Sequence, residues 1–186
     1  MESEPDEEQR AGEARLVEYL AGLGVPAPIH RHQAVFTVEE SRDVKSVLPG
    51  AHTKNLFLKD RKGGLALVSC LGSRQIRIAD LEKEIGMRRL SFASAELLWE
   101  TLRVRPGSVT AFALLNDRER RVRFILDAQM MKREPLNFHP LHNKATLPIS
   151  RADFLRFLAA TGHEGEEVDF DALEAIAAAR EAEKAG

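Results

Sequence analysis

The chain has 186 residues, 27 Lys+Arg against 29 Asp+Glu, six His, one Cys and one Trp. That length fits one compact domain with tails. The single cysteine excludes a disulfide framework and a multi-cysteine zinc site, and no run nears the ~18 apolar residues of a membrane span. The net charge of −2 hides a segregation. Residues 1–10 carry five acids and one base, and residues 164–186 carry eight acids and two bases. Residues 11–163 keep 16 acids and 24 bases, a body of +8. A basic body between acidic ends points to a polyanion partner. The acidic start, MESEPDEEQR, is neither a secretory signal nor a transit peptide. The expectation is a soluble, cytoplasmic protein with no membrane partner.

Residues 1–10 read as an acidic disordered tail. Leu16, Tyr19, Leu20 and Leu23 recur at helical spacing, and Gly24 and Pro26 stop that helix. Ile29 to His32 is extended, and Thr37-Val38-Glu39-Glu40 has the form of a capping box. A hairpin follows. Asn55–Leu58 and Leu65–Cys70 are its strands, joined by Lys59-Asp60-Arg61-Lys62-Gly63-Gly64. Gln75–Ile78 alternates as a further short strand, Asp80–Ile85 is helical, and Ser94 caps a helix carrying Leu97, Leu98, Trp99 and Leu102. After Pro106-Gly107 the apolar run Ala111–Leu115 reads as a strand, turned at Asn116-Asp117 so that Arg121–Leu126 pairs back.

Glu134–Asn143 is a polar loop or strand, and Ala145–Ile149 is extended. Ser150 opens an amphipathic helix with Phe154, Phe157 and Leu158 on one face, ended by Gly162. Residues 164–186 form an acidic tail, helical over 171–184. Hairpins mixed with helices argue an α+β domain over 11–163, with a mixed, mostly antiparallel sheet flanked by helices.

Common catalytic patterns are missing. His30-x-His32 and His139-x-x-His142 lack a carboxylate at matching spacing, and no HExxH occurs, so no metal is expected. Cys70 ends an apolar strand as a buried structural thiol. There is no GxSxG elbow and no GxxxxGK[ST] loop, so no nucleotide cofactor is expected. Three polar clusters beside apolar strands remain: His52–Asn55, Pro106–Phe112 and Asn137–Asn143.

Those clusters resemble the prolyl-tRNA editing family related to YbaK, most closely the free-standing ProX-type alanyl-tRNA(Pro) deacylases. The matching blocks are Val35–Glu40, Gly50–Asp60, Leu90–Ser94, Pro106–Asp117 and Asn137–Asn143, with Thr161-Gly162-His163 near the end. The resemblance covers about residues 14–170, in order. It implies hydrolysis of mischarged Ala-tRNA(Pro) in trans, with the acceptor end as partner and prolyl-tRNA synthetase as a second one. A pocket rejects a smaller amino acid by only about 1–3 kcal/mol, so a second, size-limited site is needed. Cys- or Ser-charged tRNA, or a non-catalytic tRNA- or synthetase-binding module, are the alternatives.

By the same resemblance, Lys54 is the essential lysine, gripping the terminal phosphate or ribose of the acceptor end. Asn55 hydrogen-bonds the amino group or ribose, or else merely opens a strand. Gly107, Ser108, Val109, Thr110 and Ala111 form the Gly-x-x-x-Pro loop, whose amides polarise the ester carbonyl. Ala111 departs from the pattern by standing where proline is expected. His139 orders the loop, contacts the terminal adenosine, or is structural. Phe36, Thr37 and Val38 help form the amino-acid pocket, and Asn143 joins the substrate-binding set. No residue looks like a dedicated general base. The resemblance implies a water placed by the substrate's own ribose hydroxyl.

Overall fold

The computed structural model describes residues 4–33 and 48–185, so the expected capping box at Thr37–Glu40 and the pocket residues Phe36, Thr37 and Val38 lie outside the described residues. Helix α1 (Glu7–Gly22) starts within the segment expected to be a disordered tail. The reason is local. Asp6 accepts the Gln9 amide and Gln9 returns the bond to Asp6, a reciprocal cap, while Glu7 and Glu8 favour the positive end of the helix. Leu16 and Leu20 lie on its buried face.

Strand β1 (His30–Arg31) precedes the hairpin of β2 (Ala51–Lys59) and β3 (Leu65–Leu71). The Asp60 carboxylate closes its turn by accepting the amides of Lys62 (2.8 Å) and Gly64 (2.7 Å). Gly50, at φ +100°, lets the chain enter β2 against Pro135, whose carbonyl would lie 2.1 Å from any Cβ there. The strand expected at Gln75–Ile78 does not form: Gln75 gives its amide to the Glu174 side chain instead of a neighbouring strand, and helix α2 (Ile78–Glu84) has already begun.

Strand β4 (Ser91–Phe92) leads to α3 (Ala95–Leu102), capped by Ser94 as expected and ended by Arg103 in the left-handed region. The apolar run Ala111–Asn116 is a 3₁₀ helix, not a strand. Thr110 accepts the Phe112 amide and starts it, and Phe112 is enclosed by Phe138 and Phe157 at 5.6 and 5.3 Å. Strand β5 (Val122–Asp127) therefore does not pair back onto that run but lies parallel to β3. A 3₁₀ turn (Met130–Lys132), β6 (Leu136–Phe138) and β7 (Ala145–Ile149) follow. Then come α4 (Arg151–Thr161), β8 (Gly165–Val168) and α5 (Phe170–Ala185). The sheet thus runs past the domain boundary expected at residue 163: β8 pairs parallel with β5, and Val168 and Phe170 are buried.

The strand order is β1-β7-β6-β2-β3-β5-β8, with β4 on β2. Four pairings are antiparallel and three parallel, so the fold is α+β with a mixed sheet between helices. Strand alternation feeds two cores. Phe57, Leu67 and Phe124 join α1, α3, α4 and the 111–116 helix on one face. Leu58, Val68, Cys70 and Ile125 meet α2 and the start of α5 on the other.

Candidate functional site

One edge of β2 is divided between two partners. Residues 51–52 pair with β6, and residues 58–59 pair with β4. Between them, among the described residues, the strand has only β3 beside it. Lys54 and Asn55 sit in that opening. Their side chains leave opposite faces, as strand geometry requires. Asn55 accepts the Ser69 hydroxyl on the side of the larger core. Lys54 is half-buried on the other side, and its ammonium donates to the backbone carbonyl of Arg74.

Arg74 is fixed in turn. Its guanidinium, 7% exposed, grips the fully buried Asp127 through Nε (2.8 Å) and Nη2 (3.2 Å). It also reaches Asp171 and Glu174 of α5. Burial opposes the Asp127 charge, but hydrogen bonds from Arg74 and from the Leu71 and Gln129 amides outweigh it and hold the carboxyl below its ordinary range. Cys70, register partner of Lys54, has its thiol pushed up to about 12 by burial, so it is no thiolate nucleophile near neutral pH.

The two loops of interest meet on the larger-core side. Gly107 is exposed at φ +84°, while Ser108, Thr110 and Ala111 are buried. Val109 packs half-buried against the core. Ala111 is the first residue of the 3₁₀ helix, a position that accepts proline because its amide is not needed within the helix. The second loop, 139–144, is linked to the first by the Phe112–Phe138 contact and by Ser108 and Leu141 sharing one cleft. Asn137 anchors the start of β2 by donating to the Pro49 carbonyl (2.9 Å) and accepting the Thr53 hydroxyl on its own carbonyl (2.7 Å). Asn143 is buried.

Hydrogen-bond partners set the histidine tautomers. His139 Nδ1 donates to the Ala145 carbonyl (3.2 Å), which leaves Nε2 as an acceptor. Burial, with His32 and His142 nearby, pushes its pKa down to about 4, so the ring is neutral near pH 7. His142 is fully buried, accepts the Lys144 amide on Nδ1 and donates from Nε2 to Glu13 (2.7 Å). Glu13 also takes Arg31, tying α1, β1 and the 139–144 loop together. Glu13, Arg74 and Asp127 carried no signal in the sequence, and His142 stood out only as part of the 137–143 block, because their partners are 18 to 129 residues away.

The acidic ends fold onto the basic body. Asp6 and Glu8 hold Arg105, Glu166 holds Arg123, Asp171 and Glu174 hold Arg74, and Glu181 holds Arg77. The charge segregation of the sequence is thereby partly cancelled in space. Among the described residues no group of three or more His, Cys, Asp or Glu could hold a metal ion, and no helix is long and apolar enough to cross a membrane.

Known proteins resemble this chain in sequence and in fold. A family model described as "Aminoacyl-tRNA editing domain" matches residues 32–157. The chain is 43% identical over 168 residues to "Prolyl-tRNA synthetase associated domain-containing protein 1" of Xenopus laevis, covering 87% of this chain and 99% of that one. It is 32% identical over 149 residues to "Prolyl-tRNA editing protein ProX" of Acetoanaerobium sticklandii, covering 80% and 91%. Among solved structures, one described as a candidate trans-editing enzyme for prolyl tRNA synthetase superposes with a TM-score of 0.67 at 15% identity, covering 89% of this chain and 99% of that one. A second, of a hypothetical protein, gives 0.64 at 20% identity, covering 84% and 98%. The chain belongs to the YbaK/ProX-like family of aminoacyl-tRNA editing domains. At family level that is a hydrolase domain that edits aminoacyl-tRNA.

Proposed function

We propose that this protein is a ProX-type deacylase that hydrolyses Ala-tRNA(Pro) in trans, in the cytoplasm, with prolyl-tRNA synthetase as a partner. The observation that carries the reading is the match to an aminoacyl-tRNA editing family together with two relatives named for prolyl-tRNA editing and for prolyl-tRNA synthetase. In the reaction, a water oxygen bonds to the ester carbonyl carbon and the bond from that carbon to the ribose oxygen breaks. One water proton ends on the ribose oxygen, giving free alanine and tRNA.

The roles divide as follows. Amides of the Gly107–Ala111 loop, with Ser108, Val109 and Thr110, stabilise the developing oxyanion, each good donor contributing about 3 kcal/mol. Lys54 holds the terminal phosphate or ribose, and Asn55 the amino group or ribose. His139 offers a neutral acceptor to the bound end; at a pKa of about 4 it is too weak a base to drive the attack. The free ribose hydroxyl of the substrate places the water. Phe36, Thr37 and Val38 bound the alanine pocket, and Asn143 joins the substrate-binding set.

Deacylation of tRNA(Pro) charged separately with Ala, Cys, Ser and Pro tests this reading. Fast loss of Ala and retention of Pro is the expected pattern. Faster loss of Cys or Ser would reassign the substrate, and loss of Pro would contradict editing. A second reading, a non-catalytic tRNA- or synthetase-binding module, is favoured by Ala111 in place of proline. Binding of tRNA(Pro) without any deacylation would establish it.

A further inference from the structure

Trp99 is the only tryptophan in the chain, and its ring belongs to neither core. Helix α3 buries Leu98 and Leu102, while Trp99 is half-buried and lines a cleft of about 310 Å³ between α1, α3 and the 104–108 segment. The Arg103 guanidinium lies over the indole at 5.8 Å, and Arg15 and Arg105 also line the cleft. Among the described residues neither Arg15 nor Arg103 has a carboxylate partner. Arg105 holds the carboxylates of Asp6 and Glu8, so this rim already binds anionic oxygens. Ser108 and Leu141 close the inner end, next to both loops assigned to the reaction.

An aromatic face with guanidinium groups around it, in a cleft of ligand size, matches one chemistry: a nucleotide whose base stacks while its phosphate is neutralised. We propose that this cleft is a nucleotide subsite for a single-stranded RNA segment, with the base on Trp99 and the phosphate on Arg103 and Arg15. It rests on the editing reading and deepens it, because it names where RNA adjoining the reacting end is held. Exposed RNA phosphates displace Asp6 and Glu8 from Arg105 as they enter.

The lone tryptophan makes the test direct, since its fluorescence reports this cleft alone. The probe is an unacylated acceptor-stem hairpin with a single-stranded 3′ end, titrated into the full chain. Emission is expected to fall at least twofold, with the same midpoint as binding measured by filter retention. Arg103→Ala and Arg15→Ala are each expected to weaken binding at least fivefold and to lower the salt slope by about one. Trp99→Phe, which keeps a stacking face, should bind better than Trp99→Ala. RNA that binds with unchanged tryptophan emission and unchanged affinity in Arg103→Ala would overturn the proposal, as would no RNA binding at all. Turnover of aminoacyl-adenosine, which lacks the adjoining nucleotides, is read alongside. Quenching without turnover keeps the subsite and sinks the editing reading. Turnover with RNA bound away from Trp99 keeps editing and sinks the subsite.

Discussion

Asp127→Asn is the perturbation that most fully engages the buried network behind Lys54. The Asp127 carboxylate is completely buried and accepts from Arg74 Nε and Nη2, from the Leu71 amide (3.2 Å) and from the Gln129 amide (2.9 Å). Asparagine keeps the shape but turns one acceptor into a donor that faces donors, and it leaves the buried guanidinium without its inner counter-charge. Breaking a buried pair from one side costs about 3–5 kcal/mol. Asp171 and Glu174 still hold Nη1, but they are 56% and 40% exposed, so their help is partial and the lower end, about 3 kcal/mol, applies. Urea unfolding should show this as a lower midpoint at unchanged slope.

Adding Arg74→Met removes the stranded charge. The double variant should then be less destabilised than the sum of the singles, with a coupling of about 2 kcal/mol. The Lys54 ammonium is held by the Arg74 carbonyl, so deacylation by Asp127→Asn should fall further than its folded fraction. A loss under about 1 kcal/mol, or full additivity, would show that Asp127 is not the counter-charge that holds Arg74.

Acid should weaken the fold well above the range where carboxylates titrate. His139 has its pKa lowered to about 4 in the folded chain against an unfolded value near 6.5, so the unfolded state binds more protons between those values. Its contribution is complete above about pH 6.5 and is lost as pH falls towards about 4, up to about 3 kcal/mol at ordinary linkage. His142 is lowered as well and adds in the same direction, and His139→Gln should flatten a plot of urea midpoint against pH. Ala111→Pro should leave the far-ultraviolet circular dichroism unchanged and shift stability by about 1 kcal/mol or less, because the position is first in its helix; unfolding would show that the Ala111 amide is required. Binding of tRNA should weaken steeply with salt as counterions are displaced, and a flat response would mean that the body's positive charge is ordinary surface charge.

Local chemistry made much of this fold legible. Ser94 and Ser150 cap the helices they precede in the sequence, and the Asp60–Gly64 turn joins the expected strands. Long-range pairing did not show. Nothing in Gly165–Val168, three-residue acidic neighbours included, signals a strand, because its parallel partner lies about forty residues upstream and supplies the pairing. The 111–115 run fits either strand or helix by composition, and the Phe112 pocket decides it. At the site, Lys54 and the 107–111 and 139–143 loops stood out as motifs. Arg74 and Asp127 did not, since a buried ion pair built from one residue after β3 and one at the end of β5 is invisible until the sheet brings them together.

Single-turnover hydrolysis of Ala-tRNA(Pro) by the natural chain and by Lys54→Ala, at matched folded fraction, decides whether Lys54 serves deacylation. Rapid release of alanine by the natural chain and loss of that activity in Lys54→Ala, with an unchanged urea midpoint, are expected. Equal rates in the two proteins would contradict that role.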